Sequence, residues 1–244
     1  MINTSRLLPT VVKNLMIING LFFLASLTFP QTLGIDLFEF LGLYSIGSEH
    51  FKPFQFFTHL FMHSNTSFGH IFSNMFMLWM FGSAIENVWG GKKFLTFYIF
   101  TGLGAAFLHM LVNEFQISNI LAQLTPEQIN MVMNGQHIND GSLIDDLQIR
   151  LYYLYNIPTV GASGAVFGVL LAFGMLFPNT NLYLIFPPIP IKAKYFVIAY
   201  GAFELYAGFE NNPGDNVAHF AHLGGMLFGY ILIKYWGRNQ FRQF

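Results

Sequence analysis

Six stretches of this chain, near 11–29, 70–89, 94–112, 161–177, 190–209 and 217–236, are dominated by apolar side chains. Each is close to the roughly 20 residues that a helix needs to cross a bilayer. In hydrocarbon a backbone must satisfy its own N–H and C=O groups, so the stretches read as helices. The fold class expected is therefore an all-α polytopic membrane protein, a bundle of six transmembrane helices forming one domain over 1–244. The composition agrees, with 54% apolar and 9% charged residues and a positive mean hydropathy. Arg6 and Lys13 flank the start of the first run as in a secretory signal, but the run has spanning length and no clean small-x-small site follows, so it is read as a retained span. The absence of cysteine excludes disulfides, thiolate-bound metals and a cysteine nucleophile. A net charge of -1 gives no field that would attract nucleic acid. No internal repeat suggests an inverted-repeat transporter.

Between the spans lie a long first loop from Pro30 to Gly69, a tight turn at Gly90-Gly91-Lys92-Lys93 and a polar stretch from Asn113 to Pro158. That stretch is expected to hold one or two short surface helices, one of them after the start signal Thr125-Pro126-Glu127. A turn at Pro187-Pro188 separates spans four and five, and Glu210 to Asn216 separates five and six. Arg6, Lys13, Lys92, Lys93, Lys192, Lys194, Lys234, Arg238 and Arg242 share one side, leaving Lys52 and Arg150 on the other. The positive-inside rule then places both termini in the cytoplasm and the two long loops outside, in a plasma (inner) membrane.

Ionisable and polar side chains within hydrocarbon are costly and mark function. His70 and Asn74 stand one turn apart where span two enters from the long-loop side. Ser163 lies three residues past Val160, roughly 5 Å into span four, and His222 five residues past Val217, roughly 8 Å into span six. Three helices thus bring Ser, His, His and Asn to one layer. Gly161, Gly164, Gly168 and Ala172 in span four, with Gly225 and Gly229 in span six, are spaced for close backbone approach. A serine needs that approach to reach a base on another helix, because its hydroxyl is a poor nucleophile until a neighbour takes its proton. His70 and Asn74 would donate to the developing oxyanion. No aspartate lies at that depth, so a Ser163–His222 dyad is expected, its third orienting role missing or taken by packing. His219 is read as facing the outer mouth or supporting the fold. His109 and Glu204 lack a clear partner, Glu204 reading as hydrogen-bonded or interfacial rather than catalytic. Glu86 reads as a cap or loop brace. His59 and His63 are an i, i+4 pair without the glutamate of a zinc-protease motif, and read as loop structure.

The strings HLFMHSNTSFGHIFSNM, GASGAVFG and AHLGGMLFG resemble the three signature segments of the rhomboid family of intramembrane serine proteases, in the same order. The resemblance implies Ser163 as nucleophile, His222 as base, and His70 and Asn74 as oxyanion donors joined by the serine N–H. FKPFQFFTHLFMH resembles the family's amphipathic outer loop, with Phe54-Gln55 where many members have Trp-Arg. Phe167 stands where some members carry a tyrosine, and is expected to stack on the histidine. The implied activity is cleavage of single-span membrane proteins in or beside their transmembrane segment, with no metal or organic cofactor, in contact with the lipid bilayer. The alternatives are a catalytically inert rhomboid-like protein that binds membrane clients, and a transporter or a metal- or haem-binding membrane protein using the eight histidines.

Overall fold

A computed structural model describes residues 6–65, 67–136, 141–183, 189–210 and 218–237. The Pro187-Pro188 turn, the 211–216 linker, Arg238 and Arg242 lie outside the described residues. In chain order the helices are α1 (Thr10–Thr32), α2 (Leu37–Leu41), α3 (Gln55–Thr58), α4 (Phe68–Met77), α5 (Ser83–Trp89), α6 (Gly91–Leu121), α7 (Pro126–Met133), α8 (Leu143–Asn156), α9 (Ser163–Leu176), α10 (Ala193–Glu210) and α11 (His219–Trp236). A wider π turn, Leu78–Gly82, joins α4 to α5, so 68–89 runs as one helical stretch.

α9 is the hub. It is apolar all round, and Gly164 to Leu170 and Ala172 to Gly174 are buried, as a helix surrounded by others must be. α6 and α11 pack against it and against each other, with α10 and the α4–α5 stretch completing the ring. The contacts depend on bare α-carbons. A Cβ on Gly168 would stand 2.7 Å from Thr101 of α6, and one on Gly164 would run into Ala105. A Cβ on Gly225 would collide with the Gly164 carbonyl, and one on Gly229 would stand 3.4 Å from the Gly168 Cα. Phe81, Phe94, Phe97 and Tyr98 fill the space at the other end of the core. The outward faces carry Leu21 and Leu24 of α1, Phe72 and Phe76 of α4, Phe107 and Leu111 of α6, and Ile198 and Phe203 of α10.

Three sequence expectations change, and a fourth is met. α1 continues through Pro30 to Thr32, so the first loop begins later than Pro30. The third apolar stretch is part of a 31-residue helix reaching Leu121. Asn113, Glu114 and Gln116 end the hydropathy signal but not the helix, because intrahelical hydrogen bonding does not require apolar side chains. Residues 190–192 form a strand that pairs antiparallel with Asn181–Tyr183, so the fifth helix starts at Ala193. The described residues of the 113–158 stretch carry the expected short helices, α7 and α8, which pack with the end of α6 around a small core of Ile117, Ile120, Leu124, Val132 and Leu151. Thr125 opens α7 with a capping box closed by Gln128.

Two side chains tie the ends of the bundle. Glu86 of α5 accepts from the Val11 and Val12 N–H groups at 3.0 and 2.8 Å, capping α1 from another helix where its dipole is positive. Gln55 is buried in the first loop, where its Oε1 accepts from Lys52 N at 3.0 Å and Tyr44 N at 3.4 Å. Its Nε2 donates to the His50 and Phe40 carbonyls at 2.9 and 3.3 Å. The Phe54-Gln55 departure therefore keeps a loop anchor, made by an amide.

Two outcomes follow in thermal unfolding of the detergent-solubilised protein. Gly225→Val is expected to destabilise by at least about 1–3 kcal/mol through overpacking, whereas Gly20→Ala, whose Cβ meets nothing within 4 Å, does not lower the midpoint. Gln55→Ala is expected to cost about 1–3 kcal/mol by leaving buried loop groups unpaired.

Candidate active site

The turn 158–162 that delivers the chain into α9 is held from three sides. Thr159 pairs with Leu43 through N–H···O contacts of 2.9 and 2.8 Å, and its hydroxyl meets His109 Nε2 at 2.8 Å. Gly161 N–H donates to the His59 carbonyl at 3.0 Å. Gly161 has φ +134°, a conformation that costs a side chain dearly, and a Cβ there would stand 3.0 Å from His70 Nε2. The glycine thus makes the turn and leaves room for the His70 ring. Ser163 follows as the first residue of α9, where backbone N–H groups have no intrahelical partner and the dipole favours negative charge.

Ser163 Oγ lies 2.9 Å from His222 Nε2. Phe167, one turn into α9, lies flat on the His222 ring with centroids 4.0 Å apart and planes 4° from parallel. The other imidazole nitrogen, Nδ1, is 2.8 Å from Glu204 Oε2 of α10. A carboxylate can only accept, so the His222 proton sits on Nδ1 and Nε2 presents its lone pair to the serine hydroxyl, which donates to it. His219 Nδ1 reaches the same Glu204 oxygen at 2.6 Å. Glu204 is 2% exposed and the two histidines 8% each, whereas Ser163 and His70 are half-buried, so the site opens on the serine side.

His70 accepts from the Ser64 backbone N–H at its Nδ1, 3.2 Å away, which puts the proton of the neutral ring on Nε2, on the side of Gly161. Asn74 Nδ2 donates to the His70 carbonyl at 2.8 Å, and the primary amide carries a second N–H. His59 and His63 do separate work. His59 Nδ1 donates to the Gln55 carbonyl at 2.9 Å, while His63 packs against His70 with centroids 5.2 Å apart. Burial lowers both from the usual imidazole value, His59 to about 4 and His63 to about 3, so both are neutral near pH 7.

Glu204, expected to be hydrogen-bonded or interfacial, is hydrogen-bonded; the partnership with His219 and His222 is what the sequence did not show. Counted from Glu210, the nearer end, Glu204 is roughly 9 Å in, level with an i, i+3 histidine pair on the next helix. Glu204, His219 and His222 also offer one ligand atom each within 4.8 Å of one another, the spacing of a three-ligand metal set.

The chain matches known proteins. The Rhomboid domain family matches residues 50–239. Over 168 residues, 69% of the chain, it is 26% identical to "Rhomboid protein 1, mitochondrial" of Saccharomyces cerevisiae, covering 38% of that protein. It is 28% identical over 181 residues to "RHOMBOID-like protein 12, mitochondrial" of Arabidopsis thaliana, covering 73% of this chain and 46% of that one. It is 27% identical over 179 residues to human "Presenilin-associated rhomboid-like protein, mitochondrial", covering 70% and 35%. The chain thus spans less than half the length of each of these relatives. These relatives are mitochondrial by name, which overturns the plasma-membrane placement. Hydropathy and loop charge report that a bilayer is crossed and which loops share a side, and do not identify the bilayer. With the family match covering more than half of its length, this membrane protein belongs to the rhomboid family.

Proposed function

We propose that this rhomboid is an intramembrane serine endopeptidase that cleaves single-span membrane proteins, with Ser163 as nucleophile and His222 as general base. The observation that carries the reading is the 2.9 Å contact between Ser163 Oγ and the unprotonated Nε2 of His222. In this reading the six stretches α1, α4–α5, α6, α9, α10 and α11 are the membrane spans. Support comes from α1 and α6, which are long and apolar enough to cross a bilayer, and from the apolar outward faces of the bundle.

The chemistry follows from the geometry. As Oγ attacks the scissile carbonyl carbon, its proton passes to His222 Nε2, and the carbonyl π electrons move to oxygen. The oxyanion meets donors already in place, the Ser163 N–H and His70 Nε2–H, with the second N–H of Asn74 one turn away. Collapse breaks the C–N bond, and the imidazolium returns its proton to the leaving amine. Water, activated by the same Nε2, then hydrolyses the acyl-enzyme and restores the serine. Phe167, stacked on the imidazole, keeps it from rotating away between the two half-reactions. Half-exposure of Ser163 and His70 supplies the side on which peptide and water meet.

The test is incubation of the purified protein in detergent with a model single-span substrate. Ser163→Ala and His222→Ala are each expected to lower kcat by at least about 10³-fold, and His70→Ala by about 10²–10³-fold. A fluorophosphonate is expected to label Ser163 in the wild type and not in His222→Ala. An inert client-binding protein would hold the substrate uncut and stay unlabelled, and undiminished cleavage by Ser163→Ala would sink the proposal.

A further inference from the structure

We infer that Glu204 completes a Ser–His–Glu group, acting as a positioning residue through His222 with His219 as its second ligand. The inference rests on the endopeptidase reading above and goes beyond the dyad that the sequence suggests.

Three observations carry it. α10 buries only Ala193, Val197 and Glu204 of its 18 residues, so its one inward-turned acidic group lies on the narrow face that meets the bundle. A carboxylate among apolar neighbours is tolerated where donors meet it. Those donors are two imidazole N–H groups of α11, at 2.6 and 2.8 Å on a single oxygen. One belongs to the same ring that meets Ser163.

A purely structural tie between α10 and α11 would be served by any donor on α11. Here the contact selects the His222 tautomer. With the proton on Nε2 the ring could not accept from the serine, and its Nδ1 lone pair would face the carboxylate. Glu204 also stands beside the positive charge that appears on His222 when Nε2 takes the serine proton. No bond to Glu204 forms or breaks, and its charge stays constant through the step. His219 holds the carboxylate oxygen from a second direction, its ring 87° from that of His222. Two donors from α11 orient the acceptor oxygen.

The experiment measures kcat, KM and the thermal midpoint of the full-length protein in detergent, on the model single-span substrate. Glu204→Gln keeps the shape but loses the charge and, with its amide nitrogen toward Nδ1, permits the wrong tautomer; kcat is expected to fall about 10²–10⁴-fold with KM within about twofold. The midpoint is expected to stay near the wild-type value, and Glu204→Asp to recover part of kcat. His219→Ala, which removes one of the two donors that the described residues supply to Glu204, is expected to cost about 10-fold in kcat.

A Glu204→Gln enzyme with kcat within about threefold of wild type would refute the inference. So would a loss that tracks a collapsed midpoint and is no smaller in Glu204→Asp. Wild-type activity that is abolished by a chelator and restored by zinc would assign Glu204, His219 and His222 to a cation instead. Ser163→Ala and His222→Ala run alongside. If they remain active, the endopeptidase reading itself has failed; if they are dead while Glu204→Gln is unimpaired, only the role of Glu204 has.

Discussion

The contact on which the rest depends is the meeting of two helix backbones without side chains between them. Gly225 of α11 lies on the Gly164 carbonyl of α9, and Gly229 on the Gly168 Cα, one turn further along. Ser163 immediately precedes the first of these glycines on α9, and His222 lies one turn before Gly225 on α11. The bare contact therefore sets both the distance and the register of the pair above it. Ordinary helices pack with axes about 8–10 Å apart, and a serine side chain is too short to bridge much more than the separation that glycine permits. Within lipid no hydrophobic gain separates helix–helix from helix–tail contact, so dispersion and buried hydrogen bonds must hold this geometry.

A run of hydrogen-bonded polar groups reaches from the loops toward the site. Gln55 gathers the first loop, His59 passes its carbonyl to Gly161, and Thr159 is bound by both Leu43 and His109. Each of these contacts braces the turn before α9, so the serine is presented by a rigid element. The half-buried side of the site lies between this turn and His70. The arrangement is stiff where the hydrogen bond between α9 and α11 must persist and open where a peptide must enter.

Much of this was legible in the chain. Long apolar runs marked the helices because a bilayer imposes a length, and Ser163, His222, His70 and Asn74 stood out because polar side chains are scarce in such runs. The small-residue spacing foretold the α9–α11 approach, although it left unstated that Gly164 and Gly168 turn their bare sides to α6. What escaped depended on comparing helices by depth. Glu204 looked partnerless because its donors lie 15 and 18 residues away on another helix. Gln55 showed only as a departure from the family's Trp-Arg, because sequence displays the residue type and hides the carbonyls that face it. The end of α6 was misjudged because hydropathy reports the solvent of a helix and not its length.

The region shared with relatives begins at residue 50, yet the folded unit begins earlier. Glu86 lies within the shared region and caps α1, which lies outside it. Gln55 likewise reaches back to Phe40 and Tyr44, and Thr159 to Leu43. A chain trimmed to the shared segment would keep every proposed reacting group and lose the donors for a buried carboxylate, half the partners of the loop anchor and a strap on the turn before α9. The family match and the hydrogen-bonded frame therefore have different boundaries here, and the site is braced in part by residues that the match does not cover.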